Sequence, residues 1–95
     1  MVRGAPDPEA AGDAWLISMW VAPRARRSGV GVRLVEAVIA WAAAAGFSRL
    51  LLDVADDNVP AIRLYARLGF APTGVTGALP PPRSHITEHQ RARPL

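Results

Sequence analysis

The chain has 95 residues, 51% of them hydrophobic, so it is long enough for one small domain with a buried core. It contains no cysteine, which excludes disulfides and thiolate metal sites, and two histidines cannot alone fill the first shell of a metal. All eleven basic residues are arginine and the net charge is +3, which favours an anionic ligand but is too small to indicate nucleic acid.

The first predicted element is a loop or frayed end over residues 1–14, which contain four charged residues, two glycines and two prolines. This segment has no apolar run, so no signal peptide is predicted. No part of the chain approaches the roughly 18 apolar residues of a membrane span, and a cytoplasmic protein is expected. Trp15–Val21 then places apolar residues on both alternating faces, which predicts an interior strand covered on two sides.

A long amphipathic helix is predicted over Gly29–Ala45, with Gly46 just beyond its C-terminus. Arg49–Ala55 is predicted as the next strand, and a strand, helix and strand at this spacing predict a right-handed crossover with a parallel strand pair. The predicted buried stripe of the helix consists of Val35, Val38, Ile39, Ala42 and Ala45, bordered by Leu34 and Trp41, with Arg33, Glu36, Ala40 and Ala43 facing outward.

A shorter helix is predicted after Asp56-Asp57-Asn58, residue types that commonly cap helices, and it ends at Gly69. The rest of the chain is less regular. Strands are predicted at Ala71–Val75 and Ser84–Arg91, joined by a rigid connector at Pro80–Pro82. The predicted buried side of the short helix consists of Ile62, Tyr65, Ala66 and Leu68.

The turn between the first predicted strand and the long helix is dense in arginine and glycine. Arg24, Arg26 and Arg27 supply fixed positive charge, and Gly29 and Gly31 let a ligand approach the main chain closely. The amides that begin a helix point outward at the positive end of its dipole and bind anions. The expected ligand therefore carries phosphate.

Two segments resemble motifs of the GCN5-related N-acetyltransferases (GNAT). Arg26-Arg27-Ser28-Gly29-Val30-Gly31 fits the R-x-x-G-x-G pattern of their acetyl-CoA loop and follows a strand that ends in Val21-Ala22-Pro23. The segment from Asn58 to Phe70 resembles N-x-x-A-x-x-L-Y-x-x-x-G-F at every fixed position. With both motifs the chain is identified as a member of that family. The resemblance runs from Trp15 to about Val75 and more loosely through Glu88-His89 and Pro94-Leu95.

The resemblance implies an α/β fold with a mixed sheet, in the order strand, loop, helix, strand, helix and C-terminal strands. Residues 1–95 would form a single partial domain: a terminus over 1–14, an acetyl-CoA-binding core over 15–75 and a tail over 76–95. The N-terminal strands and helices of the family are missing. We favour a start assigned inside a longer protein; a degenerate remnant and a half-domain completed by a partner are the alternatives. The uncovered edge leads us to expect self-association of the isolated chain.

The resemblance also implies roles for individual residues, with acetyl-CoA as cosubstrate and no metal. Tyr65 would protonate the departing CoA thiolate, and Asn58 would bind near the cofactor arm. The main chain of Met19 and Val21 would pair with the pantetheine arm. The pyrophosphate would be held by Arg26, Arg27, Ser28, Gly29, Val30 and Gly31.

Each of these residues also has a purely structural interpretation. Tyr65 could be a core aromatic with its hydroxyl at the surface, and Asn58 could be a plain helix cap. The acidic residues Asp53, Asp56 and Asp57 are interpreted as strand-end and capping residues, and His85 and Glu88 as ordinary tail residues. The catalytic base is left unassigned, because the strand equivalent to Trp15–Val21 offers only Ser18.

The predicted function is an N-acetyltransferase that moves an acetyl group from acetyl-CoA to a small-molecule or peptide amine. The alternative is a non-catalytic half-domain that binds CoA or another phosphorylated ligand and is completed by a partner, or a degenerate remnant. A nucleic-acid binder using Arg24–Arg33 is disfavoured because no aromatic residue is interleaved with those arginines. Neither nucleic acid nor a membrane is expected as a partner, and the acceptor cannot be read from this sequence.

Overall fold

A computed structural model of the chain describes residues 2–18 and 30–95. In this part of the chain five strands form one sheet in the order β1-β2-β3-β5-β4, accompanied by two helices. The strands are β1 (Val2–Pro6), β2 (Asp13–Ser18), β3 (Arg49–Ala55), β4 (Ala71–Ala78) and β5 (Thr87–Pro94), and the helices are α1 (Val30–Ala44) and α2 (Val59–Arg67). The mixed α and β fold class predicted from the sequence is confirmed.

The chain divides into two compact units. The first contains residues 1–50 together with 94–95, and the second contains residues 51–93. Among the helices within residues 2–18 and 30–95, none is long and apolar enough to cross a membrane.

The N-terminal segment is a strand, and the prediction of a loop over residues 1–14 was wrong there. β1 pairs antiparallel with β2, from Val2 opposite Ser18 to Pro6 opposite Ala14. Glycine and proline usually weaken strands, but a proline that ends an edge strand removes no hydrogen bond that the sheet needs. The local composition favoured a loop, but the hydrogen bonds of β1 to β2 stabilise an extended strand instead.

The turn of this hairpin is held by two aspartates. Asp7 accepts a hydrogen bond from the Glu9 amide at 2.8 Å and another from the Trp15 indole N–H at 2.8 Å. The indole bond is the main reason that the pKa of the Asp7 carboxyl lies below its ordinary value. Asp13 accepts two hydrogen bonds from the Arg49 guanidinium, at 2.9 and 3.1 Å, which joins the end of the turn to the start of β3.

Position 4 of β1 is a glycine, and α1 packs too closely over it for a side chain to fit. A Cβ atom at this position would lie 2.5 and 2.6 Å from two ring carbons of Trp41 and 3.1 Å from a methyl carbon of Val38. The absence of a side chain at Gly4 therefore makes room for the indole. The Trp41 ring also lies against Phe47, with ring centroids 5.5 Å apart, and remains 40% exposed.

The predicted face of α1 is mostly confirmed. Val35, Val38 and Ala42 are buried and Ile39 is half-buried, whereas the residues predicted to face outward are exposed. Ala45 lies beyond the last helical residue and is exposed, so its predicted burial was wrong. The helix ends one residue before the predicted Ala45, and Gly46 adopts a φ of +85°, which a residue without Cβ reaches at little cost.

β3 has the bounds predicted for it and carries much of the core: Leu50, Leu51, Leu52 and Val54 are all buried. Its place beside β2 in the sheet confirms the predicted neighbours. β2 itself is less evenly covered than predicted, since Ala14 and Leu16 are buried while Trp15 and Ile17 are only half-buried.

In the second unit α2 has one buried side chain, Tyr65; Ile62 and Leu68 are half-buried, and the predicted burial of Ala66 was wrong because it is exposed. The two C-terminal strands form an antiparallel hairpin that begins with Ala71 opposite Ala92. Both strands run three residues further than predicted at their C-terminal ends, and β5 begins three residues later, after the connector.

We expect Gly4→Ala to destabilise the protein, because the new methyl group overlaps the Trp41 indole and overpacking typically costs about 1–3 kcal/mol. Urea unfolding would measure the loss. Gly77→Ala in β4 is the matched control, since nothing lies within 4 Å of a Cβ there. Equal stability of the two variants would contradict close packing of α1 on β1.

Candidate functional site

Part of the predicted site falls outside the described residues. Met19, Val21, Arg26, Arg27, Ser28 and Gly29 lie between residues 18 and 30, and the roles assigned to them stay predictions. The described candidates are the start of α1 at Val30 and Gly31, in the first compact unit, and Asn58 and Tyr65, in the second unit.

The N-terminus of α1 has the chemistry of an anion site. The helix begins at Val30, and its first turn contains no acidic residue that would repel a phosphate. The first amides of a helix have no intrahelical acceptor and point outward at the positive end of the dipole. Arg33 is exposed one turn into the helix and adds positive charge. The phosphate site predicted for this turn stays a prediction, because most of the turn lies outside the described residues.

Asn58 is the N-cap of α2, which confirms its predicted capping role. Its side-chain oxygen accepts a hydrogen bond from the Ala61 amide at 3.4 Å, and its carbonyl accepts one from the Ile62 amide at 3.0 Å. Its own amide donates to the Ala55 carbonyl at 3.0 Å. Within the described ranges no residue accepts from its side-chain amino group, so an exposed Asn58 can cap the helix and still donate to a ligand.

Tyr65 is the buried residue of α2 and carries a phenol hydroxyl. The residue is 6% exposed, and its ring packs edge-on against Phe70 with centroids 5.8 Å apart. No described residue is hydrogen-bonded to the hydroxyl, and no fully buried side-chain oxygen in the described part lacks a partner. The buried ring agrees with the structural interpretation of Tyr65 as a core aromatic. A hydroxyl with no hydrogen bond to a described residue agrees with the predicted role as an acid as well.

Side chains of β5 contact both ends of α2, and sequence reasoning missed them. His89 pairs with Asp56 at 3.0 Å, before the helix. After it, Arg91 donates to the Phe70 carbonyl at 2.7 Å and Arg93 donates to the Leu68 carbonyl at 3.0 Å. The sequence signal that could have revealed these contacts is the alternation His-x-Arg-x-Arg, because alternate residues of a strand project to one face and three donors therefore lie together.

Asp53 is the described carboxylate whose pKa lies above its ordinary value. It is on β3, its side chain is partly exposed, and the cause of the shift is partial burial, which penalises the ionised form. Within residues 2–18 and 30–95, no three histidine, aspartate or glutamate side chains are grouped closely enough to hold a metal ion.

The model of the family described as "Acetyltransferase (GNAT) family" matches residues 1–70. Among characterised relatives, the aminoglycoside N(6')-acetyltransferase type 1 of Serratia marcescens is 43% identical over 60 residues, 63% of this chain and 41% of that protein. The match to the family begins before the two sequence motifs and therefore includes the hairpin of β1 and β2.

Two solved structures have a similar fold. A GCN5-related N-acetyltransferase from Kribbella flavida superposes with a TM-score of 0.77 at 34% identity, covering 96% of this chain and 55% of that one. Ard1 from Thermoplasma volcanium gives a TM-score of 0.83 at 25% identity, covering 99% of this chain and 61% of that one. The chain thus spans between two fifths and about three fifths of the length of these proteins.

We expect Asp53→Asn to stabilise the protein at pH 7, because it removes a carboxylate that is costly to ionise in the folded state. A raised pKa means that the folded state binds the proton more tightly, so stability falls as pH rises from the ordinary aspartate value of 3.8 through the folded value. The advantage of Asp53→Asn should therefore disappear below pH 3.8. Thermal unfolding from pH 3 to 7 tests this, with Asp57→Asn as the control. An advantage that is independent of pH would contradict the assignment.

Proposed function

The chain belongs to the GNAT acetyltransferase family, and we propose that it acts in acetyl transfer from acetyl-CoA to an amine. The observation that carries this proposal is Tyr65, whose ring is anchored in the core while its hydroxyl is free of hydrogen bonds to the described residues. A small-molecule amine is the acceptor class that fits relatives such as the aminoglycoside N(6')-acetyltransferase.

We assign to Tyr65 the role of general acid. When bound, acetyl-CoA supplies an activated thioester whose carbonyl is attacked by the amine. As the carbon–nitrogen bond forms and the carbon–sulfur bond breaks, the sulfur would gain negative charge and the Tyr65 hydroxyl would give it a proton. The product nitrogen would lose its extra proton to solvent, and the Tyr65 phenolate would take one back from solvent. A rigid ring is important here, because a proton donor is effective only when held at hydrogen-bond distance from the reacting atom.

We assign the binding of the CoA phosphates to Arg26, Arg27, Ser28, Gly29 and the amides that begin α1 at Val30 and Gly31. The lack of acidic residues in the first turn of α1 supports this proposal. Main-chain groups of Met19 and Val21 would pair with the pantetheine arm. Asn58 would donate its side-chain amino group to the same ligand while its oxygen keeps the cap of α2.

A second candidate function is binding of CoA without catalysis. It is favoured by one observation, namely that the chain covers 41% of a characterised relative and 55% of a solved one. Such a half-domain would hold the ligand and need a further segment or partner to bind the acceptor. Release of thiol from acetyl-CoA with a broad panel of amines separates the two functions, since a binder without activity gives none.

We expect Tyr65→Phe to lower the rate of acetyl transfer by about 10²–10⁴-fold, the usual contribution of general acid catalysis. The change removes one oxygen and retains the ring that packs on Phe70, so CoA affinity and thermal stability should change little. The rate of thiol release is the measurement. Tyr65→Leu, which also removes the packing, is the comparison that separates loss of chemistry from loss of stability. Equal rates for Tyr65→Phe and the unaltered chain would rule out the acid role.

We expect Gly29→Asp to weaken CoA binding strongly, because it places a carboxylate beside the proposed phosphates. Arg26→Ala should weaken it at least tenfold, since one hydrogen bond to a charged group contributes about 1.5–3 kcal/mol. Calorimetry with CoA measures both effects. Gly77→Asp adds the same charge in β4, where a Cβ meets nothing within 4 Å, and should bind CoA normally. A folded Gly29→Asp protein with unaltered affinity would exclude this turn as the phosphate site.

A further inference from the structure

β5 presents three donor side chains on one face. His89, Arg91 and Arg93 are alternate residues of the strand, and alternate residues project to the same side of a sheet. All three contact the segments that flank α2 and lie in the same compact unit as that helix. We call these three residues the β5 clamp.

The first contact of the β5 clamp lies before α2. The His89 imidazole is 3.0 Å from the Asp56 carboxylate, and the Asp56 amide donates to the Thr87 carbonyl at 2.8 Å. Two bonds therefore tie this turn to β5, one through the main chain and one through side chains. Two residues further on, Asn58 caps the helix, so the position of its side chain depends on the turn that β5 holds.

The other contacts lie beyond the C-terminal end of α2. The Arg91 guanidinium donates to the Phe70 carbonyl at 2.7 Å and the Arg93 guanidinium donates to the Leu68 carbonyl at 3.0 Å. Leu68 is the C-cap of α2, where a carbonyl has no intrahelical donor and positive charge is favourable to the helix dipole; Phe70 lies two residues beyond it. The same segment is bonded back to the helix, since the Phe70 amide donates to the Tyr65 carbonyl at 2.9 Å.

We propose that the β5 clamp positions α2 at both ends and thereby sets where Asn58 and Tyr65 meet CoA. This inference rests on the proposed function, in which α2 supplies a cofactor contact and the acid. The three clamp residues are positioning residues and touch no ligand themselves. Their contacts fix two points on either side of a nine-residue helix, and two fixed ends leave α2 little freedom to tilt or slide along the sheet.

Positioning accounts for the contact of His89 better than stability does. The side chains of His89 and Asp56 are 43% and 65% exposed, and a contact between exposed polar side chains contributes little to folding free energy. Residues that act on a site without touching its ligand change affinity by about two- to thirtyfold. A clamp residue should therefore affect CoA binding more than it affects unfolding.

The test compares each clamp variant with a matched control on the same 95-residue chain. His89→Gln is paired with His85→Gln, and Arg91→Met is paired with Arg83→Met, because His85 and Arg83 are exposed in the β4–β5 connection. Calorimetry with CoA gives affinity, thermal unfolding gives stability, and amide hydrogen exchange reports on the two ends of α2. We expect CoA affinity to fall by about two- to thirtyfold in the clamp variants alone, the range for indirect coupling.

Local exchange and a rescue variant make the test specific. In His89→Gln the Asp56 and Ile62 amides should exchange faster, and in Arg91→Met the Leu68 and Phe70 amides should do so. Arg91→Lys keeps a charged donor and should recover part of the affinity. A purely structural role would lower the unfolding temperature with no change in CoA affinity.

The outcomes separate the clamp from the proposed function. CoA affinity and amide exchange that match the controls in both His89→Gln and Arg91→Met would overturn the clamp. Failure of the unaltered chain to bind CoA would overturn the proposed function. In that case amide exchange still tests the clamp without a ligand: unchanged exchange at the ends of α2 in His89→Gln and Arg91→Met would overturn it. Affinity loss with local exchange only in the clamp variants supports both.

Discussion

The edge-on contact between Tyr65 and Phe70 is the constraint on which the proposed chemistry depends. A phenol on a mobile side chain is a poor acid, because its hydroxyl seldom occupies the one position from which it can donate. Here Tyr65 is 6% exposed and its ring lies against a fully buried Phe70, with 5.8 Å between the ring centroids. The main-chain bond from the Phe70 amide to the Tyr65 carbonyl closes the same turn. In the proposed mechanism, the interaction that packs the Tyr65 ring in the core also positions its hydroxyl.

Elements with strong local signals could be predicted from the sequence. β3 is a run of apolar residues bounded by polar ones, and its limits came out as predicted. α1 and α2 carry helical spacing and end at glycines with positive φ, Gly46 and Gly69. β1 could not be predicted, because its Gly4 reads locally as a loop residue and serves as the space for a tryptophan 37 positions away. This contact between Gly4 and the Trp41 ring is visible only in the folded structure.

Some residues of the candidate site could likewise be predicted from the sequence, and others could not. Asn58 and Tyr65 belong to a segment with a recognisable motif, and their cap and burial follow from helix physics. The β5 clamp was missed because Arg91 and Arg93 bind main-chain carbonyls, which every residue possesses and no sequence pattern marks. His89 needed a partner 33 positions away. Contacts of this kind depend on strand order, and β5 lies beside β3 in the sheet although the chain between them is long.

The hairpin of β1 and β2 changes the physical basis for expecting self-association. From the sequence, self-association was expected because the apolar faces of Trp15–Val21 and of the long helix lacked the neighbours that the family supplies; in the structure β1 pairs with β2. β1 is short, contains Arg3 and ends in a proline, all features that oppose edge-to-edge pairing. The opposite edge is β4, whose eight residues are exposed and carry no charge, although positive φ at Gly74 and a register shift between Pro72 and Thr76 distort its hydrogen-bonding edge. Self-association, where it occurs, is therefore expected through β4 more than through the N-terminal edge.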